Sequence, residues 1–121
     1  MIDPNFILLY VADPAASARF YEQLLDKRPV EASPSFAMFA LASGVMLGLW
    51  GRSGVDPAAG GQPGAGELAF ALASRADVDQ AYADWRGRGM PVLQAPTELD
   101  FGYTFVCQDP DGHRLRAFAP S

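Results

Sequence analysis

Few side chains in this chain can do chemistry at neutral pH. There is one histidine, His113, and one cysteine, Cys107. A Ser-His-Asp relay needs a histidine within reach of both partners, and His113 sits directly after a tight turn, so no such set is built around it. The Gly60-Gly61-Gln62-Pro63-Gly64 stretch lacks the lysine and the strand-to-helix setting of a phosphate loop. Cys107 alternates with Tyr103 and Phe105 and reads as a buried, inert thiol. The informative stretch is Gln108-Asp109-Pro110-Asp111-Gly112-His113-Arg114-Leu115-Arg116-Ala117-Phe118. Pro fixes φ at one central turn position, Asp bonds its own backbone and Gly accepts φ > 0, so residues 109–112 turn the chain. Arg114, Arg116 and Phe118 then fall on one face of a returning strand, with Leu115 and Ala117 on the other.

Composition excludes several classes of partner. The chain has 121 residues, half of them apolar, with no run approaching a membrane span. A net charge of -5 leaves no basic stripe for nucleic acid and disfavours an anionic lipid surface, so a neutral or cationic ligand is the electrostatic expectation. Met1-Ile2-Asp3-Pro4 begins no export signal, and a lone cysteine makes no internal disulfide, so the cytoplasm is expected.

The elements that must position these residues come in two matching sets. Phe6 to Val11 reads as a strand, and Asp13-Pro14 supplies an N-cap and a proline at the first helical position. Phe20, Tyr21, Leu24 and Leu25 form one stripe of a helix that Arg28-Pro29 ends. An extended segment near Val30 to Ala32 follows, then a strand over Phe36 to Leu41, a turn at Ser43-Gly44 and a strand over Val45 to Trp50. Residues 51–66 hold Gly54, Gly60, Gly61, Gly64 and Gly66 with Pro57 and Pro63, and read as a linker or mobile loop. Leu68 to Leu72 is again a strand, Ser74 or Asp77 caps a second helix, and Val78, Ala81, Tyr82 and Trp85 repeat the stripe as far as Gly87 to Gly89. Pro91 to Leu93 is extended, Ala95 to Gly102 reads as a polar loop, and Tyr103 to Gln108 enters the turn described above. Phe20, Tyr82 and Trp85 are expected in the core.

Both halves therefore have the order β-α-β-β-β, and arithmetic superposes them. An offset of 61 places Phe6 on Glu67, Leu9 on Phe70, Tyr21 on Tyr82 and Leu24 on Trp85; an offset of 68 places Phe36 on Thr104, Leu47 on Leu115, Gly48 on Arg116 and Trp50 on Phe118. The difference of 7 is an insertion in the second half, between helix and third strand. Periodicity alone gives an α+β sandwich or a ferredoxin-like domain. The Asp109-Pro110-Asp111-Gly112 turn and the doubled order resemble the vicinal-oxygen-chelate superfamily, the glyoxalase, bleomycin-resistance and extradiol-dioxygenase group, over essentially the whole chain. The resemblance implies an α+β fold: a single domain, residues 1–121, of tandem βαβββ modules, 5–50 and 67–119, joined by the 51–66 linker and curving as a mixed sheet around a cavity. It also implies a homodimer.

In the metal enzymes of that superfamily, ligands occupy one position in the first strand and one in the last strand of each half. The matching positions here are Phe6, Gly48, Glu67 and Arg116. A divalent metal wants several imidazoles or carboxylates, so one carboxylate beside a permanent guanidinium cation is no metal site, and no cofactor is expected. Glu67 and Arg116 have the alternative of a structural ion pair across the cavity. If Phe6 faces the cavity, period two sets Leu8 and Tyr10 beside it, and the same logic adds Phe36 with Met38, Met46 with Gly48 and Trp50, and Arg114 with Arg116 and Phe118. Phe101 and Tyr103, read as belonging to the inserted loop, complete the candidate ligand-binding set with Glu67.

Such a site fits a planar aromatic molecule. Ring pairs contribute about 0.5–1.5 kcal/mol each beyond burial. The expected function is metal-free sequestration of a planar aromatic antibiotic, as in the bleomycin- and phenazine-resistance members, giving drug resistance or self-protection. Phenazines and peptides bearing quinoline or quinoxaline chromophores, of the thiocoraline type, are the ligands to try. The alternative is a metal-dependent lyase, isomerase or dioxygenase of the same superfamily with a shifted site; a ligand-free scaffold is a third reading.

Overall fold

The computed structural model describes residues 2–121, and the chain divides between Gly61 and Gln62 into two compact units. The first unit runs β1 (Phe6–Val11), α1 (Pro14–Leu25), β2 (Glu31–Ala32), β3 (Phe36–Ala40) and β4 (Met46–Gly51). Its sheet has the order β1-β4-β3-β2. β1 lies parallel to β4, and the other neighbours are antiparallel. The crossover through α1 is what a parallel β1-β4 pair requires, since a hairpin cannot connect parallel neighbours. The second unit runs β5 (Glu67–Ala71), α2 (Arg75–Gly87), β6 (Val92–Leu99), β7 (Gly102–Gln108) and β8 (Arg114–Pro120), with the order β5-β8-β7-β6.

The helix starts follow from local chemistry. The Asp13 side chain accepts from the Ala15 and Ala16 amides ahead of Pro14, and the Ser74 hydroxyl accepts from the Asp77 amide at 3.1 Å. Ser74 is thus the cap, and Asp77 lies in the first turn, where a carboxylate suits the helix dipole. α1 stops before Arg28-Pro29: Asp26 takes a left-handed conformation, φ 52°, and its amide bonds the Glu22 carbonyl.

Each helix covers one face of its sheet. In the first unit Val11, Ala37, Phe39, Leu47 and Leu49 are buried with Tyr21 of α1. In the second, Phe105 is fully buried and meets Tyr82 and Trp85 of α2 edge-on, with centroids 5.3 and 5.1 Å apart; Trp85 also meets Phe70 at 5.3 Å. Phe20 meets Tyr21 edge-on on α1.

The repeat holds at the level of backbone register. Phe6 pairs with Met46 and Glu67 with Arg114; Met38 pairs with Gly48 and Val106 with Arg116; Phe36 pairs with Trp50 and Thr104 with Phe118. The two offsets superpose each of these pairs on its counterpart.

Two stretches differ from their sequence-based expectation. Residues 95–102, expected as a polar loop, are mostly strand: β6 continues to Leu99 and only a tight turn at Asp100-Phe101 separates it from β7. Pro96 and two register shifts interrupt the pairing with β7, and they erase the clean alternation by which a strand is read. The extra residues of the second half lengthen this strand: β6 has 8 residues where β2 has 2. Within residues 51–66, expected to lack regular structure, Arg52–Gly54 forms a short 3-10 turn, Val55 is buried, and the Arg52 guanidinium donates to the Gly61 carbonyl at 2.8 Å.

Candidate functional site

The turn that opens β8 is built as its residues dictate. The buried Asp109 carboxylate accepts from the Asp111 and His113 amides, both at 2.9 Å, while the Gly112 amide donates to the Asp109 carbonyl and Gly112 takes φ 93°. His113 is partly buried and held by this backbone network. The turn delivers Arg114, Arg116 and Phe118 to the sheet face away from α2, because Leu115 and Ala117 are fully buried on the helix side.

On that face Arg116 and Glu67 form a bidentate pair. The Arg116 Nε donates to Glu67 Oε1 at 2.7 Å and Nη2 to Oε2 at 3.0 Å, with side chains only 17% and 28% exposed. The pair links neighbouring strands of the second unit's sheet. Nη1 donates to the Thr104 hydroxyl at 3.1 Å, and that hydroxyl donates to the Ala117 carbonyl at 2.9 Å. The guanidinium beside it holds the Glu67 carboxyl below the usual carboxylate range, chiefly through the hydrogen bond; burial opposes this, and the charges of Arg116 and Arg114 add to the lowering. Phe101, at the β6-β7 turn, meets Phe118 edge-on at 5.8 Å and lies 5.8 Å under the Arg116 guanidinium carbon. Thr104 is not among the sequence-based site candidates, and the signal for it is the offset of 68, which carries Phe36, a site candidate, onto it.

Tyr103 lies elsewhere. Its ring is on the α2 side, with the hydroxyl donating to Asp79 Oδ1 at 2.7 Å and the Arg75 guanidinium 3.9 Å above it; Arg75 also pairs with Glu98. The bond to Asp79 raises the Tyr103 pKa. One residue of register separates Tyr103 from the Arg116 face, and in a strand one residue reverses the side. Burial likewise pushes up the thiol of Cys107, which is fully buried.

The first unit presents a different surface. Phe6, Leu8 and Tyr10 of β1, Phe36 and Met38 of β3, and Met46, Gly48 and Trp50 of β4 share the face away from α1. They form rows: Tyr10 beside Trp50 beside Phe36, then Leu8 beside Gly48 beside Met38. Tyr10 and Trp50 meet edge-on at 6.3 Å, both half-buried, while Phe6 is 50% and Leu8 45% exposed. Gly48 does let a flat ring approach the backbone, and the ring is this unit's own. A Cβ there would stand 3.0 Å from Phe36 Cζ and 2.6 Å from Leu8 Cδ2.

The four positions at which the resemblance places metal ligands are thus a half-exposed Phe6, a Gly48 under Phe36 and Leu8, and Glu67 bound on both oxygens by Arg116. These residues do not fit a divalent cation. Among the described residues no group of three or more His, Cys, Asp or Glu comes together. A separate cleft of about 450 Å³ lies between α1 and the segment around Pro29 and Pro34, and none of the sequence-predicted site residues lines it.

Two β-α-β-β-β units in matched register, each with its outer strands joined through a helix, define the class, and the chain belongs to the Glyoxalase/Bleomycin resistance protein/Dioxygenase superfamily, whose sequence model matches residues 4–117. It is 31% identical over 118 residues to the phenazine antibiotic resistance protein EhpR of Enterobacter agglomerans, spanning 95% of this chain and 90% of that protein. Among solved structures it resembles a protein of Agrobacterium tumefaciens determined by solution NMR, at 49% identity and a TM-score of 0.92, covering 100% of this chain and 99% of that one. A glyoxalase/bleomycin resistance protein/dioxygenase from Nocardioides is 28% identical with a TM-score of 0.81, covering 99% and 84% of the two chains. Among the described residues no helix is long and apolar enough to cross a membrane.

Proposed function

We propose that this protein binds and sequesters a planar aromatic antibiotic without converting it, conferring resistance or self-protection, and that a phenazine is the first ligand to try. The observation that carries the reading is the open face of the first unit. Phe6, Leu8, Tyr10, Phe36, Met38 and Trp50 gather on a sheet face that keeps large apolar groups half-buried or exposed, and solvent-exposed apolar surface of this kind marks a binding site. The phenazine-resistance relative supports the same ligand class, and the residues at the superfamily's ligand positions favour a metal-free mode. Two or three ring contacts contribute about 1–4.5 kcal/mol beyond area burial, enough with that burial for micromolar binding. We place the protein in the cytoplasm as a homodimer, for which the exposed Phe6, Ile7 and Leu8 of an edge strand offer apolar surface. Sedimentation velocity tests the dimer, with a monomer at micromolar concentration rejecting it.

Tryptophan fluorescence tests the binding, because the two tryptophans report separately. Trp50 is on the open face and Trp85, on the sheet-facing side of α2, is 7% exposed. Titrated phenazine should quench wild type and W85F with a micromolar or tighter midpoint, and the quenching should be lost in W50F. No quenching and no thermal shift with phenazines or with quinoxaline-bearing peptides rejects the proposal, as does stoichiometric Fe, Mn, Ni or Zn in protein purified without chelator.

A further inference from the structure

The open face of the second unit carries a charge pattern that a neutral ring does not need. The strand residues on this face include three charged side chains, Glu67, Arg114 and Arg116, two cations against one carboxylate in a chain of net charge -5. Arg116 has five N–H donors, of which three are used, two by Glu67 and one by Thr104. Nη1 and Nη2 therefore each keep one N–H. Arg114 lies two residues away on the same face, in direct register with Glu67, and is exposed. Among the described residues its side chain has no ion pair or hydrogen bond, although Glu67 feels its charge. Two residues of strand separate the two arginines by about 6.5–7 Å, a gap that one carboxylate bridges. The edge-on pair of Phe101 and Phe118 stands beside them, with the Phe101 ring under Arg116.

We propose that Arg114 and the two unused N–H groups of Arg116 form a carboxylate subsite beside the Phe101 and Phe118 rings of the same unit, so that the ligand this protein prefers is an aromatic acid. The inference rests on the function proposed above and sharpens its ligand class. An exposed arginine alone is ordinary surface. What distinguishes this one is the partly buried guanidinium beside it, neutralised by Glu67 but not saturated in its donors, and the adjacent ring pair. Glu67 serves as the anchor: it fixes the Arg116 fork in one plane, so the remaining N–H groups are oriented before ligand arrives. The corresponding positions in the first unit, Met46 and Gly48, offer no donor, so the subsite belongs to one repeat only.

The experiment compares phenazine-1-carboxylic acid with phenazine-1-carboxamide, rings of the same size differing in charge, by calorimetric titration of the intact protein at neutral pH and two salt concentrations. The acid should bind about tenfold more tightly at low salt. The preference should shrink as salt is raised, and in R114Q the acid-to-amide ratio should fall to about 1. Equal affinity for acid and amide in wild type overturns the subsite and leaves the sequestering function standing. An unchanged ratio in R114Q also overturns it. Failure of both compounds to bind rejects the function itself and the subsite with it.

Discussion

Position for position, the first unit sets Phe6, Met46 and Gly48 where the second sets Glu67, Arg114 and Arg116, on backbones paired in the same register. On the helix side the exchange is of volume. Ala37 and Phe39 of β3 correspond to Phe105 and Cys107 of β7, so large and small residues trade places along the strand, and Leu49 opposite Ala37 corresponds to Ala117 opposite Phe105. The helices follow, with Leu24 where α2 has Trp85. The smaller sheet residues Cys107 and Ala117 of the second unit are offset by Phe105 and by the larger Trp85 on its helix, which is the compensation close packing demands. The open faces are under no such rule. Nothing forces a half-exposed face to be apolar, and here one repeat presents rings and the other an ion pair. What separates the units is therefore concentrated where ligand is proposed to bind.

The comparison breaks most visibly at Phe105, which is fully buried against Tyr82 and Trp85. F105A should cost about 3–5 kcal/mol in chemical denaturation. A37F with F39C, which copies the second unit's arrangement into the first, should cost less than A37F alone. The next effect is expected at Gly102, with φ 148° and a hypothetical Cβ 2.1 Å from the Ala119 carbonyl oxygen. Backbone cannot yield as a side-chain tip does, so G102A should cost about 3 kcal/mol. It should also move Phe101 off Phe118, visible in NMR ring shifts.

Removing the charge that distinguishes the second face comes third. E67Q leaves a partly buried guanidinium without its bidentate partner and should cost about 1–2 kcal/mol at neutral pH. The folded pKa of Glu67 lies below its ordinary value, so the stabilisation is fully present above that ordinary value and is lost as pH falls through the folded one. Denaturation midpoints of wild type and E67Q should therefore converge as the solution is acidified below the carboxylate range. A gap that widened toward low pH would contradict the ion pair. The smallest effect is expected at Gly48. G48A meets only the ends of the Leu8 and Phe36 side chains, which can rotate aside, and should cost about 1 kcal/mol. Displacing Phe36 should still change phenazine affinity, and an unchanged affinity would remove that ring from the proposed site.

Much of the fold was legible because its determinants are local. Asp13-Pro14 and Ser74 mark helix starts through bonds to amides two or three residues away, and the turn at residues 109–112 closes on itself. β6 looks like a loop in the sequence because Pro96 and the register shifts remove alternation, and only pairing with β7 makes a strand of it. Tyr103 is close to Phe101 along the chain, but strand parity points its side chain at α2 and away from the Arg116 face.

The sequence by itself determined the doubled β-α-β-β-β order, the register of the repeat and which side chains share a face, since period and offset are properties of the chain. Tertiary structure alone decided who fills the space on those faces. Phe36 and Leu8 come to lie over Gly48, and Glu67 takes two hydrogen bonds from Arg116, 49 positions away, and feels the charge of Arg114. Such contacts depend on distances across neighbouring strands, and no local pattern in the chain encodes them.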